Sequence, residues 1–359
     1  MAASRQITIN QVAQEAGVSV QTVSRVLNER PDVSPETRRK VQEIITRLGY
    51  QPSAIARGLA SRRTRSLGLI TADFSDYFFT QVIAGAEQEA RKHDYFLMLG
   101  STERNPKDEP EYLRLLTQRH VEGILFARPS SEPDEKHLVK LLHTGTPVVS
   151  TAYYLEGEAL TVVDVNNVEG GRQATSYLLE LGHTCIAMIR GPSSWKSVID
   201  RAQGYRLTLE AAGISLDPGL VTEGDWSYRS GYLAMRELLG RGSIVRKGAL
   251  RDQHDPCTAL FIQNDRMAIG AIRALHEDGL RIPEDISVVG YDDVPEAEFA
   301  EPPLTTVRQP MFEVGEIATR LLIQAVEHPD DYCPQELLLE TELVVRHSTN
   351  KRPNPKPLP

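Results

Sequence analysis

Between residues 66 and 330 short apolar runs alternate with longer amphipathic stretches, and no other feature restricts the possible folds as much. The runs are Leu67–Ala72, Phe96–Leu99, Gly123–Ala127, Val148–Thr151, Ile186–Ile189, Ala259–Gln263 and Ile286–Tyr291. Between them, Phe79–His93, Glu169–Leu181, Ala202–Ala212, Tyr228–Leu239 and Met267–Asp278 carry apolar residues at helical spacing. A strand covered on both faces reads as a continuous apolar run, whereas a helix lying on a sheet shows a 3.6-residue period. The alternation therefore predicts an α/β body of two doubly wound subdomains, with parallel sheets and helices on both faces. The body is expected over 66–349, its first subdomain at about 66–164 plus 308–330 and its second at about 165–307 plus 335–348. Residues 310–328 read as a returning helix, 335–346 as closing strands, and 350–359 as a flexible tail.

The first fifty residues read differently, as an all-α unit. Thr8 is a candidate N-cap with Gln11 at capping-box spacing, and Ile9, Val12, Ala13 and Ala16 form an apolar stripe. Gly17 supplies the left-handed residue that ends this helix. Ser19 then caps a second helix, Val20 to Leu27, with Val23, Val26 and Leu27 inward. Ser34-Pro35-Glu36 opens a third helix running to Leu48, stopped by Gly49. Helix, glycine turn, helix is the helix-turn-helix pattern. The outward face of the second helix offers Val20, Gln21, Thr22, Ser24 and Arg25, residue types that read base edges in the major groove. Asn28 and the capping residues Thr8, Ser19 and Ser34 complete the expected DNA-facing set.

Charge supports this division. Residues 1–65 carry eleven basic and five acidic side chains, leaving 29 basic and 44 acidic for the rest. A basic head on an acidic body fits a head that meets a polyanion. Residues 51–65 form a hinge and linker in which Pro52–Ser61 is too short to hold a helix alone in water. It is expected to fold only beside a partner copy and DNA, with Leu59 as a minor-groove wedge and Ala56 beside the DNA.

In open α/β sheets ligands bind beyond the carboxyl ends of strands. There the sequence places Ala72-Asp73, Arg190, Asn264-Asp265 and Asp292, a set of carboxylates, a carboxamide and an arginine suited to a polyol. Trp226, Trp195, Tyr77 and Phe78 are candidates to cover the C–H face of a sugar ring. Asp292 and Asn264 have helix or turn capping as their alternative role, Asp265 reads first as a helix cap, and Trp195 could lie in the core.

The head resembles that of the lactose-repressor (LacI/GalR) family throughout, with VAQEAGVSVQTVSRVLN its most specific block. Later segments, LGHTCIAMIRGP, GDWSYRSGY, ALFIQNDRMAIGAIRALHEDGLRIPEDISVVGYDD and PPLTTVRQP, extend the resemblance over nearly the whole chain. It implies a second helix in the major groove through Val20, Gln21, Ser24 and Arg25, and paired hinge helices that open the minor groove with Leu59. It further implies a cleft like that of periplasmic sugar-binding proteins, three crossings between subdomains, and effector contacts at Ala72, Arg201, Trp226, Asn264, Asp292 and Gln309. Where the family often carries an Asp after PVV, this chain has Thr151, which hydrogen-bonds without charge. Ser243–Pro256 looks longer than the usual connection, and the tail lacks leucine heptads, so a homodimer is expected.

These features predict a sequence-specific repressor in the bacterial cytoplasm and nucleoid, reading pseudo-palindromic double-stranded operator DNA. A sugar effector in the cleft would lower its operator affinity. The alternatives are a corepressor of purine or nucleoside type, or a DNA-binding head fused to a sugar-acting enzyme. Against the enzyme, the sequence shows no G-x-S-x-G, P-loop, G-x-G-x-x-G after a strand, or metal-spaced histidine cluster. No cofactor, metal or membrane partner is expected. The three cysteines, Cys185, Cys257 and Cys333, read as reduced structural thiols.

Overall fold

A computed structural model describes residues 7–50, 63–127, 136–151, 159–242, 244 and 257–352, in two compact units, Met1–Arg65 and Ser66–Pro359. The expected hinge contacts Leu59 and Ala56, and nearly all of the 243–256 segment, lie outside the described residues.

The head contains α1 (Ile9–Ala16), α2 (Val20–Leu27) and α3 (Pro35–Leu48). Gly17 and Gly49 follow α1 and α3 in the left-handed conformation, at φ 65° and 63°. Thr8 N–H donates to Gln11 Oε1 at 2.8 Å, while Ser19 Oγ and Ser34 Oγ accept from the backbone of Thr22 and Thr37. Val12, Ala16, Val23, Val26, Val41, Ile44 and Ile45 close a small core from all three helices. Each valine or isoleucine among them contributes about 1.5–3 kcal/mol on removal from water.

The body has two six-stranded sheets. In chain order the first subdomain contributes β1 (Ser66–Thr71), α4 (Tyr77–Lys92), β2 (Phe96–Ser101), α5 (Glu109–Gln118), β3 (Gly123–Ala127), α6 (Lys136–Leu142), β4 (Val148–Thr151) and β5 (Thr161–Val165). The second contributes α7 (Asn167–Glu180), β6 (Ile186–Arg190), α8 (Lys196–Ala211), β7 (Val221–Glu223), α9 (Tyr228–Gly240), β8 (Ala259–Ile262), α10 (Asp265–Glu277), β9 (Ser287–Asp292), α11 (Pro295–Phe299) and β10 (Thr305–Arg308). Then α12 (Met311–Glu327) and β11 (Glu336–Leu339) return to the first subdomain, and β12 (Glu342–Val344) ends in the second. The sheet orders are β11-β5-β4-β3-β1-β2 and β12-β10-β9-β8-β6-β7. All neighbours are parallel except β10 and β12. The chain thus crosses between sheets after β5, β10 and β11.

Two expectations are corrected. The segment 335–348 does not belong wholly to the second subdomain: Leu337 pairs with Val163, so β11 edges the first sheet before the last crossing. Residues 350–352 are not a loose tail. Asn350 N–H donates to Ser287 Oγ at 3.0 Å, Arg352 N–H donates to the Leu181 carbonyl at 2.8 Å, and His183 Nε2 lies 3.0 Å from the Asn350 carbonyl.

Both subdomains use glycine to bring helices into backbone contact. A methyl group at Gly85 on α4 would collide with the Phe312 carbonyl of α12, and one at Gly315 with the Val82 carbonyl. On α7 and α8, Gly171 faces the Arg201 carbonyl and Gly204 faces that of Val168. These contacts set how deeply α8 sits, which positions the cleft described next.

Candidate functional site

The head presents one polar face. Val23 and Val26 of α2 are buried, so Val20, Gln21, Ser24, Arg25 and Asn28 share the opposite side of the helix. Val20, Gln21, Arg25 and Asn28 are exposed, whereas Thr22 and Ser24 are half-buried. Local bonds shape this face: Ser19 Oγ lies 2.9 Å from Thr22 Oγ1, and Asn28 Nδ2 donates to the Ser24 carbonyl at 2.9 Å. Arg25 makes an exposed 3.3 Å ion pair with Asp32, which contributes little in water and can be exchanged for a DNA contact. Thr8 and Ser34 sit at the exposed N-termini of α1 and α3, positions suited to phosphate rather than base contact.

The body's site is a narrow cleft with walls from both subdomains, its free cavity only about 40 Å3. Of the expected contacts, Phe78, Trp195, Arg201, Trp226, Asn264 and Asp292 line it. Asp76, Phe79 and Ser197 also line it and were not anticipated. Asp76 stands five residues beyond β1 as the N-cap of α4, where it accepts from Phe78 N–H at 3.1 Å. Reading slightly further past each strand would have found it.

Arg201 is the centre of this arrangement. Carried inward by α8 and buried, it donates through Nε to Asn167 Oδ1 (2.8 Å), through Nη1 to the Gln263 carbonyl (2.6 Å) and through Nη2 to Gln309 Oε1 (3.2 Å). Its guanidinium lies 3.7 Å from the centre of the Tyr291 ring. Gln309 passes the connection on, donating to Asp292 Oδ1 at 2.6 Å. Burial pushes the Asp292 carboxyl well above the ordinary carboxylate range, and the nearby Arg201 charge only partly opposes this. Asp164, behind the site, is pushed up to about 7 by burial, with the neighbouring Lys196 and Arg201 charges opposing the rise.

The aromatic wall is built by local strain. Trp226 has φ 75°, and Asn264 Nδ2 donates to its carbonyl at 3.2 Å. Its indole lies against bare Gly191, and its ring centre is 5.3 Å from that of Trp195, the planes tilted by 53°. The buried Trp226 Nε1–H has no acceptor among the described residues. Trp195 is half-buried at the N-terminus of α8 and packs against the cores of both subdomains. Asp292 and Asp293 also take positive φ, 115° and 56°. Buried Asp265 steadies this turn, accepting from Val294 N–H (3.0 Å) and Thr306 Oγ1–H (2.6 Å).

Other expected residues lie elsewhere. Tyr77 lines an adjoining open hollow of about 410 Å3 with Phe78, Gln309 and Arg308. Ala72 is buried under the cleft, and Asp73 faces Arg104 rather than the cavity, at 2.9 Å. Thr151 is fully buried at the end of β4, its hydroxyl without a partner among the described residues. Arg190 pairs with Glu223 on the neighbouring strand at 3.1 Å.

A helix-turn-helix head preceding a two-sheet body with a polar, aromatic cleft defines a DNA-binding regulator with a ligand-binding body. Residues 8–53 match the family described as bacterial regulatory proteins, lacI family, and residues 175–349 match a periplasmic binding protein-like domain. The transcriptional regulator CelR of Thermobifida fusca is 38% identical over 351 residues, covering 96% of this chain and 98% of that protein. Catabolite control protein A of Priestia megaterium is 34% identical, covering 88% and 91%. Among solved structures, the lac repressor dimer bound to operator and the anti-inducer ONPF superposes with a TM-score of 0.85 at 29% identity, covering 96% of this chain and all of that one (100%). A CelR–cellobiose complex superposes with a TM-score of 0.70 at 36% identity, covering 95% and 99%. The chain belongs to the lacI family of bacterial regulatory proteins. Its DNA-binding unit is the head and its ligand-binding unit the body.

Proposed function

We propose that this chain is a transcriptional repressor, not an enzyme, which holds a pseudo-palindromic operator as a homodimer in the cytoplasm and is released by a saccharide. The observation that carries the ligand class is the meeting of a buried arginine network with paired indoles in one cleft. Hydroxyl groups need donors and acceptors together, which Arg201, Asn264 and Asp292 supply, while indole faces cover the apolar side of a pyranose ring. The tilt of 53° between the indoles gives no parallel slot for a flat purine, which favours a sugar over a nucleoside corepressor. CelR has been solved with cellobiose, so cellobiose is the first candidate. Dimerisation is supported by the operator-bound lac repressor dimer, and two heads on a two-fold axis read two half-sites.

The mechanism follows from walls that belong to both subdomains. A ligand touching Phe78 and Asp76 on one side and Arg201 and Trp226 on the other stabilises one relative placement of the subdomains, and can shift an equilibrium only through that difference. The test is calorimetric titration with cellobiose and related saccharides, beside gel-shift titration of operator DNA. Binding without turnover, with weakened operator affinity, is expected. Tightened operator binding would reverse the proposed sign, and a converted sugar would make the body an enzyme.

A further inference from the structure

Arg104 lies outside the cleft lining, yet it joins the two subdomains at the cleft's edge. It follows β2 in a short loop where Glu103 and Arg104 both adopt positive φ, 47° and 61°. Arg104 N–H donates to the Ala72 carbonyl at 2.7 Å, so its backbone is tied to the end of β1. Its guanidinium makes two 2.9 Å bonds within its own subdomain, Nε to Asp73 Oδ2 and Nη2 to Asp76 Oδ2. The remaining Nη1 reaches the second subdomain and donates to the Asp225 carbonyl at 3.4 Å. Asp225 directly precedes Trp226, and Asp76 is itself part of the cleft wall.

These bonds are unequal in a useful way. Both short, charged bonds hold the guanidinium in place whichever way the subdomains lie. The long bond to the Asp225 carbonyl, with the attraction between the guanidinium and the Asp225 carboxylate, depends on closure. A donor already aimed by other partners loses little side-chain entropy when it engages. A single bond of this kind is also weak enough to break on every opening. Asp73 has a second effect: its Oδ1 accepts from Ser75 N–H at 2.7 Å, which stiffens the loop beneath the arginine.

We propose that Arg104 is a positioning residue that acts as a pre-aimed catch, holding the Asp225–Trp226 loop against the first subdomain when the cleft shuts. It sets how long a bound molecule stays without touching it. Because Asp76 serves both the catch and the cleft wall, a ligand hydroxyl that engages Asp76 is sensed by the residue that closes over it. That the trapped molecule is a saccharide rests on the function proposed above; the catch itself does not.

The chain's two tryptophans, Trp195 and Trp226, both line the cleft, so intrinsic fluorescence reports on it directly. In the full-length protein without ligand, Arg104→Gln should raise acrylamide quenching of this fluorescence about twofold, because the open form becomes more populated. With cellobiose as probe, stopped-flow fluorescence should show release about 3–10-fold faster and association little changed, the loss of one modest hydrogen bond. Arg104→Lys, which keeps the charge but lacks the fork, should fall between the two and carries the same test if the glutamine variant does not fold. Quenching equal to wild type in a folded variant would overturn the catch. So would slower association with unchanged release, which would mean that Arg104 meets the ligand. If neither cellobiose nor the related saccharides bind either protein, the saccharide reading fails, and the quenching comparison still decides the catch.

Discussion

Replacing Arg201 by methionine tests the cleft both as structure and as ligand site. The guanidinium donates to Asn167, the Gln263 carbonyl and Gln309, and its charge opposes the burial of Asp292 and Asp164. Methionine fills comparable space against Tyr291 but leaves three acceptors facing an apolar chain. Three charge-assisted bonds at about 1.5–3 kcal/mol each would overstate the loss, since Asn167 and Gln309 can turn toward other partners. Removing one member of a buried charged network costs about 3–5 kcal/mol, and the cation's own desolvation cost is then regained. We therefore expect a loss of about 3 kcal/mol, which for a body of this size lowers Tm by roughly 5–10 °C. Circular-dichroism melts and denaturant titrations of the full chain measure the loss, and calorimetric titration with cellobiose measures binding. Arg201→Lys restores the charge but not the three-way fork, so stability should recover in part while binding stays at least about 100-fold weaker. An Arg201→Met protein within about 1 kcal/mol of wild type would refute the view that these bonds hold the site together.

Three further outcomes follow from other parts of the molecule. Burial raises Asp164 from 3.8 to about 7, so between those values the folded body keeps a proton that the unfolded chain has released. Its contribution is full below pH 3.8 and lost as pH rises through about 7; Asp164→Asn should flatten the stability profile across that window by about 1.4 kcal/mol per pH unit. Gly85→Ala forces α4 from α12 at the Phe312 carbonyl and should cost about 2 kcal/mol or more in denaturant titrations, whereas Gly240→Ala, exposed and with open space for the methyl group, should cost far less. Arg25→Ala should weaken the cognate operator by about 1–3 kcal/mol in gel shifts and nonspecific DNA by clearly less, while equal weakening would make Arg25 a phosphate contact.

The head was legible because its signals are local. Thr8, Ser19, Ser34, Gly17 and Gly49 act on backbone within four residues, and each does so here. In the body, the continuous apolar runs became strands, but Thr161–Val165, Val221–Glu223 and Thr305–Arg308 are strands without such a run of their own. Thr161–Val165 contains Asp164, whose burial depends on elements far along the chain. Thr305–Arg308 is polar in composition, yet Thr305 and Thr306 are buried and bond to Thr349 and Asp265. The cleft divides similarly. Asn264 and Asp292 were visible from their place after strands. Arg201, on a helix face, was indicated by resemblance rather than spacing, since its partners lie 34 to 108 residues away. Asp73 follows a strand too, but Arg104 draws its carboxylate aside, a pairing that no local pattern encodes.

The contact of α7 with α8 has a consequence for how such a site can change. Gly171 lies against the Arg201 carbonyl, and Gly204 lies against Val168 three residues before Gly171. The bare backbone at Gly171 works as a depth gauge: it fixes how far the guanidinium protrudes into the cleft, and so which hydroxyl of a ligand it can reach. A single methyl group there would displace the Arg201 backbone without altering any side chain that lines the cleft. The shape of the cleft is therefore adjustable from the dry side of a helix, where a comparison of cleft-lining residues alone would find nothing different.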